Sequence, residues 1–369
     1  MLQINEINEI DEFLESRQKW NKVLERSRDN NLYLTWEYLS TYWKHFGKEK
    51  KLRILCVEDK NDIIAIAPLR QSRFNFANSL SYDVIEPLGY QGAAYTGFIL
   101  AEREAECFKL FLNHLVEHDG WDFIHLFDVP ETSAIPDLLP EASEVIPTFE
   151  LLQSVICPYI PIPNSLDIFM KGLSKKLRSN LRRRMRNLKK DYQRVELKAY
   201  NEFGSVEEAM KIYHELHQKR WESKDMPGVF STQKRRDFSI DVAKHFAANG
   251  WLALDFLTAN DEPIAVEYCH IYKQKMYGGL SGFDPYYSQY SPGHLVFLKV
   301  IEKCIQNKIK EYDFLKGATP YKLEWSAKYR RNLNIRFVNK SFTSKLYHWG
   351  IGTVRRMKMK KILGKFLHF

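Results

Sequence analysis

Residues 278–295 join a glycine-containing strand end, a polar turn and a helix start in an order that suits anion binding. We predict that a helix begins here with Ser291 as N-cap and Pro292 at its first position. The first turn of a helix has unpaired backbone amides and a partial positive charge, and Gly293 lets a ligand approach without meeting a Cβ. An ordinary helix start is the alternative reading. The predicted phosphate contacts are Ser291, Gly293, His294 and Leu295.

Three carboxylates lie where a proton acceptor would be useful. Glu267 interrupts an apolar strand, Asp313 lies in a second one, and Asp284 follows a strand end. A charged group in an apolar strand has to be paired or close to a site, and a carboxylate next to a reacting amine or hydroxyl can accept its proton. A solvated strand face for Glu267, and pairing of Asp313 with Lys316 or Lys322, remain open. The sequence contains no Ser-His-Asp order, HExxH motif or P-loop.

A strongly basic helix is predicted between the two halves of the chain. Residues 171–198 contain 12 basic and two acidic residues, and apolar residues recur along one face every three or four positions. A solvated face is the ordinary reading, but this charge density favours a phosphate-bearing substrate or an anionic membrane. Interleaved aromatic residues are lacking, so a nucleic-acid partner is less favoured. We include Arg178 and Arg182 among the predicted substrate contacts.

The charge of the chain is divided unevenly. Of its 369 residues, 1–150 carry 15 basic against 26 acidic residues, whereas 151–369 carry 40 against 20.

The acidic start and the lack of a long apolar run predict a cytoplasmic protein, peripheral at most to the inner face of the membrane. Five widely spaced cysteines predict reduced core residues and no metal site. The basic tail at 346–369 either lies in a membrane interface or packs back on its domain.

The same order of elements is predicted twice. The length of 369 residues by itself also suggests roughly two domains. Each copy has two helices, a hairpin whose turn lies at residues 60–62 or 260–263, a further helix and an apolar strand. A crossover helix between strands implies one parallel pair in an otherwise antiparallel sheet. Chance similarity of two α/β halves is the alternative. Prolines at 158, 161 and 163 mark the joint.

The chain resembles GNAT-type acetyltransferases of the CelD/BcsL branch, which is associated with cellulose biosynthesis, and more distantly the Fem aminoacyltransferases. The similarity extends over nearly the whole sequence. The motifs that carry it are WEYL at 36–39, AIAPL at 65–69, CPYI at 157–160, LSKKLRSNLRRR at 173–184, HQKRW at 217–221, GFDPY at 282–286, SPG at 291–293, YDFLKG at 312–317, and Tyr321, Lys322 and Trp325.

The resemblance implies an α/β fold built of two tandem GNAT-like folds, each with a mixed, mostly antiparallel sheet flanked by helices. The implied parts are a degenerate N-terminal domain at 1–163, a basic linking helix at 164–198, a donor-binding domain at 199–345 and the tail at 346–369. The usual Gln/Arg-x-x-Gly-x-Gly/Ala pyrophosphate loop is replaced here by QYSPGH at 289–294. The first copy, with only QGAA at 91–94, is expected to have lost donor binding and to shape the acceptor cleft.

The implied activity is direct N- or O-acyl transfer from acetyl-CoA or another acyl-CoA to a sugar or lipid-linked intermediate of cell-envelope or exopolysaccharide biosynthesis. Two alternatives are an aminoacyltransferase that uses aminoacyl-tRNA, the one case in which a nucleic-acid partner is expected, and a non-enzymatic scaffold of envelope assembly. The predicted substrate contacts are Arg178, Arg182, Arg220, Trp221, Lys316, Tyr321, Lys322 and Trp325.

Overall fold

A computed structural model describes residues 2–76, 80–118, 120–325 and 328–340. The predicted tail at 346–369 lies outside these residues. The described residues form two compact units, one comprising residues up to 154 together with 332–340, and the other lying within residues 155–331. No helix in the described ranges is long and apolar enough to cross a bilayer.

The helices and strands are numbered in chain order. The helices are α1 (Ile10–Glu15), α2 (Arg17–Arg26), α3 (Trp36–Phe46), α4 (Glu104–Glu117), α5 (Ala134–Asp137), α6 (Leu139–Val145), α7 (Leu166–Gly172), α8 (Lys175–Asp191), α9 (Val206–Glu222), α10 (Gln233–Ala248), α11 (Pro292–Gln306) and α12 (Pro320–Trp325). The strands are β1 (Gln3–Ile7), β2 (Lys51–Asp59), β3 (Asp62–Phe76), β4 (Leu80–Pro87), β5 (Ile99–Leu100), β6 (Phe123–Pro130), β7 (Phe149–Leu151), β8 (Val155–Pro161), β9 (Val195–Ala199), β10 (Leu252–Ala259), β11 (Glu262–Tyr272), β12 (Lys275–Phe283), β13 (Glu311–Asp313) and β14 (Lys328–Val338).

The two units repeat one arrangement. In the first, β2, β3 and β4 form an antiparallel meander, and α4 leads to β6, which pairs with β4 in parallel. In the second, β10, β11 and β12 form the meander, and α11 leads to β13, which pairs with β12 in parallel. The predicted fold class, two tandem α/β folds with mixed and mostly antiparallel sheets, is confirmed.

The basic helix α8 belongs to the core of the second unit. Ser174 caps its N-terminus by accepting a hydrogen bond from the Leu177 amide, and Leu177, Leu181 and Leu188 are buried among residues of β10, β11 and α11. Spacing along the sequence identifies the apolar face of a helix, but it does not say which sheet that face covers. The structure therefore places α8 inside a unit, where the sequence suggested a separate linking segment.

The units also divide at points other than the predicted 163, 198 and 345. Strand β8 pairs with β13, so the second unit already begins at Val155. From Asn332 onward, β14 pairs with β6 and β7 of the first unit. Both differences come from strand pairs that join residues far apart in the chain, which local sequence patterns do not reveal. All five cysteines are buried, as predicted.

Helix α9 packs so closely on β12 that one glycine is required between them. A Cβ on Gly282 would lie 2.4 Å from the backbone nitrogen of His217 and 2.7 Å from its Cα. These are backbone atoms, so relief requires moving the helix away from the sheet. Overpacking of this kind typically costs about 1–3 kcal/mol.

We therefore expect Gly282→Ala to lower the free energy of unfolding by about 3 kcal/mol, the upper end of that range, because the clash is with backbone. Urea unfolding measures this directly. Gly172→Ala is the matched control, since a Cβ there meets nothing within 4 Å. Equal stability of the two variants would show that α9 and β12 are not held this closely.

Candidate active site in the second unit

The parallel pair β12–β13 opens after three residues. Pairing joins Lys275–Tyr277 to Glu311–Asp313 and then stops, because the chain after β13 follows β8 instead. The Phe314 amide donates to the Pro158 carbonyl (3.0 Å), and the Gly317 amide to the Ile156 carbonyl (2.9 Å). In the described part of the chain, no strand pairs with residues 278–283 of β12 on this side. The end of a strand in such a sheet is a usual place for a substrate site.

A pocket of about 190 Å³ lies at this opening. It brings together five residues that the sequence predicted as site residues from separate motifs, and three that it did not. The lining residues are Arg220, Ser281, Phe283, Ser288, Ser291, Gly293, His294 and Tyr321.

Glu267 is the most perturbed carboxyl group near this pocket. It lies on β11 opposite Ser281 of β12, and its Oε1 accepts a 2.9 Å hydrogen bond from the Tyr312 hydroxyl. Its Oε2 is buried and accepts no hydrogen bond from the described residues. Burial raises the pKa of Glu267 to about 7, and nearby Asp255 adds to this, whereas the Tyr312 hydrogen bond and the Arg220 charge lower it. A carboxyl group with this pKa can accept and release a proton near neutral pH.

Arg220 supplies positive charge to the same pocket. Its Nη1 donates to the carbonyl (3.1 Å) and the hydroxyl (2.9 Å) of Ser281, and its guanidinium lies 5.4 Å from the centre of the Phe283 ring. Its Nε is buried and has no acceptor among the described residues. The guanidinium is thus held by the edge of β12 that β13 leaves uncovered, and it retains a donor that a ligand could use.

The start of α11 differs in detail from the predicted anion cradle. Ser291 is the N-cap and Pro292 the first residue, as predicted, but Ser291 has left-handed φ/ψ angles of 48° and 59° and its side chain makes no capping bond. The amides of His294 (2.9 Å) and Leu295 (3.4 Å) both point to the Ser291 carbonyl. Pro292 has no N–H, so the Gly293 amide is the donor that remains in this first turn.

The remaining groups still suit a phosphate. A Cβ on Gly293 would meet only Phe283 at 3.6 Å, so the protein's own packing does not require glycine here. Ser288 and Ser291, which both carry hydroxyl groups, line the same pocket as Gly293. Together with the Gly293 amide and the end of a 15-residue helix, they fit one phosphate group of a donor. Leu295 is fully buried in the core and takes no part.

Asp284 and Asp313, the two other predicted bases, have structural partners. Asp284 accepts hydrogen bonds from Lys219 Nζ (2.6 Å) and the Tyr286 amide (2.9 Å), and although burial opposes them, these bonds lower its pKa. Asp313 is fully buried, accepts from the Leu315 amide (2.8 Å) and lies 4.0 Å from Lys275 Nζ. Glu267 is therefore the stronger candidate for the base.

The other predicted substrate contacts are distributed over the unit. Tyr321 lies in the pocket and donates to the Gly293 carbonyl (3.4 Å), whereas Trp325 is buried against Phe169 and Phe297. The Trp221 indole donates to His217 Nε2 (3.0 Å).

The predicted lysine contacts and the two arginines of α8 lie elsewhere. Lys322 Nζ donates to the Lys316 carbonyl (2.8 Å), and burial lowers the pKa of Lys322. Arg178 donates to the Lys171 carbonyl (3.1 Å), and it lines with Arg182 a second pocket, on α8. These residues do not line the pocket at the β12–β13 opening.

Sequence reasoning missed Tyr312, Ser281, Ser288 and Phe283. Tyr312 directly precedes Asp313 in a motif that was noticed for its charges, and Ser281 lies next to Gly282 on β12. A tyrosine facing the core of a sheet requires a hydrogen-bond partner, but the sequence does not say which residue supplies it.

The raised pKa of Glu267 predicts a pH-dependent stability. A carboxyl whose pKa rises from 4.5 to about 7 on folding stabilises the fold fully below pH 4.5, and this stabilisation is lost as pH rises through about 7. Relative to Glu267→Gln, the wild type should lose about 3 kcal/mol over that interval. Urea unfolding at a series of pH values measures the difference. Asp284→Asn is the control of opposite sign, because its pKa is lowered. A pH-independent difference for Glu267→Gln would contradict the assignment.

Comparison with known proteins identifies a domain family for part of the second unit. Residues 175–323 match the family model of an acetyltransferase (GNAT) domain, and no curated protein matches. FemX is similar in structure, with a TM-score of 0.66 at 11% identity over 94% of this chain and 99% of that one. L-PGS from Bacillus licheniformis gives 0.52 at 10% identity over 89% and 94%. A conserved protein from Bacteroides thetaiotaomicron gives 0.54 at 10% identity over 92% and 100%. At these identities the solved structures show the fold alone. The matched residues 175–323 include every residue that lines the pocket at the β12–β13 opening, so the second unit contains a GNAT-type acyltransferase domain.

Proposed function

We propose that the second unit transfers an acyl group, with acetyl-CoA as the first candidate donor, directly to an amine or hydroxyl of a sugar or lipid-linked intermediate of envelope or exopolysaccharide assembly. The observation that carries the chemistry is the buried Glu267, which has an unpartnered oxygen and a pKa of about 7. It pairs on β11 with Ser281 of β12, a residue that lines the pocket at the β12–β13 opening. The GNAT domain match supports the donor class. The envelope acceptor rests on the resemblance to the CelD/BcsL branch.

In this proposal each residue has one task. Glu267 accepts the proton of the attacking amine or hydroxyl as the new bond to the acyl carbon forms, and the thioester C–S bond breaks with coenzyme A leaving as its thiolate. Tyr312 positions the Glu267 carboxyl and keeps its pKa from rising further. The Gly293 amide, with the hydroxyls of Ser288 and Ser291, holds a phosphate of the donor. Holding both reactants in one pocket replaces a bimolecular encounter by a local one.

A second candidate is aminoacyl transfer from a charged tRNA. Two observations favour it: the start of α11 offers one free amide in place of a full pyrophosphate cradle, and α8 exposes many cations. The fold similarity to FemX is compatible with either donor. The third candidate is a non-enzymatic scaffold. The raised pKa of Glu267 does not favour it, because a scaffold needs no proton acceptor.

For the base, we expect Glu267→Gln to lower kcat/KM by about 10²–10⁴-fold, the usual contribution of a positioned proton acceptor. Free thiol released from acetyl-CoA, with lipid-linked sugar intermediates as acceptors, reports the rate. Because the base must be deprotonated, wild-type kcat/KM should rise with pH to a plateau above about pH 7. Tyr312→Phe should move this rise to higher pH. Asp284→Asn, which changes a paired carboxylate, should retain the wild-type profile, and loss of activity only in Asp284→Asn would place the base there.

For the donor, we expect coenzyme A to raise the melting temperature of the wild type, because binding to the folded state stabilises it. Gly293→Leu should abolish this shift, since its side chain would fill the space beside Phe283, and Gly172→Leu should retain it. A shift produced by aminoacyl-tRNA with coenzyme A inert would replace the first candidate by the second.

A further inference from the structure

Helix α8 exposes a row of cations that lack counter-charges. In the ranges that the structure describes, none of its basic residues takes part in an ion pair, and Arg183 donates to the neutral Asn180 side chain (3.3 Å). Elsewhere in the unit, basic residues such as Lys198, Lys219 and Lys303 lie within 2.7 Å of a carboxylate. The exposed basic residues of α8 are Lys175, Lys176, Arg182, Arg183, Arg186, Lys189 and Lys190.

Apart from Lys189 and Lys190 in the last turn, these charges do not stabilise the helix. Lys175 and Lys176 lie in its first turn, where the helix dipole disfavours cations, and no acidic residue offsets them there. Like charges three or four positions apart repel each other, as for Arg182 and Arg186. The helix is instead held by the burial of Leu177, Leu181 and Leu188. Repulsion among the exposed cations destabilises α8 when no anion is nearby, so an anionic partner would stabilise this face.

The same face contains an apolar pocket of about 620 Å³. Its apolar wall comes from Met170 of α7, Leu181 and Met185 of α8, and Leu298 of α11. The cations that border it are Arg182, Arg186, Lys189 and Lys190. An adjacent pocket of about 600 Å³ is lined mainly by further cations of α8, with Asp167 as its one carboxylate. Nearby on α7, Ile168 is 57% exposed.

We propose that this face of α7 and α8 docks on an anionic phospholipid surface, with headgroup phosphates at the cations and apolar chain segments against Met170, Met185 and Leu298. A membrane interface offers this combination of negative charge and apolar depth. RNA fits less well, because neither pocket is lined by an aromatic side chain on which a base could stack. The proposal does not rest on the transfer chemistry at Glu267.

Vesicle co-sedimentation of the full chain tests this. We expect binding to phosphatidylcholine vesicles that contain phosphatidylglycerol, none to phosphatidylcholine alone, and weakening with added salt. The test variant is Arg182→Gln/Arg186→Gln/Lys189→Gln, which removes three charges from the pocket border. Each basic residue near an anionic surface contributes about a fivefold factor, so affinity should fall roughly 100-fold.

The matched control removes three exposed charges of the same unit outside this face, as Lys211→Gln/Arg235→Gln/Lys310→Gln. It should bind nearly as the wild type does, and equal weakening of both triple variants would overturn the proposal by showing a net-charge effect only. Glu267→Gln should bind vesicles normally, which separates failure of docking from failure of the proposed function. Binding of tRNA that the test variant abolishes, with vesicles inert, would assign the face to RNA instead. Circular dichroism melting confirms that each variant is folded.

Discussion

Burial of the Glu267 carboxyl group is the main physical constraint on the second unit. An ionised carboxylate in an apolar core costs far more than a neutral one, so the group keeps its proton until about pH 7. The Tyr312 hydroxyl satisfies one oxygen, and the ring of Tyr312 reaches it by crossing β12 at Gly278. A Cβ on Gly278 would lie 2.5 Å from that hydroxyl oxygen. The glycine, the tyrosine and the carboxyl therefore depend on one another.

The opening beside β12 follows from how β13 ends. Asp313 accepts the Leu315 amide, and Leu315 takes a left-handed conformation with φ of 59°, which turns the chain toward β8. A buried aspartate that first suggests catalysis thus positions the strand end. Because the chain leaves β12 there, Arg220 can bond to the exposed edge at Ser281, and the pocket lies between that edge and the start of α11. The end of β13 therefore determines both the free edge of β12 and the position of the pocket.

Local signals in the sequence predicted much of this fold, and long-range pairing accounts for the rest. The N-cap Ser291, the proline at the start of α11 and the apolar face of α8 could all be predicted, because each lies within a few residues of the element it determines. The partner of Asp284 lies 65 residues away and that of Glu267 45 residues away. No local pattern predicts such pairs, so the carboxylates could be named but not ranked.

The two copies of the fold differ most where the chemistry is proposed. On β2 and β3, Leu55 pairs with Ala67 at the positions that Asp255 and Glu267 occupy on β10 and β11. Both residues of the first pair are fully buried, so an apolar contact replaces the buried carboxyl pair. The helix that follows, α4, has Glu104 and Glu106 in its first turn, where negative charge repels a phosphate. Because one backbone arrangement tolerates both sets of residues, the raised pKa of Glu267 is a property of the side chains of the second unit and not of the fold.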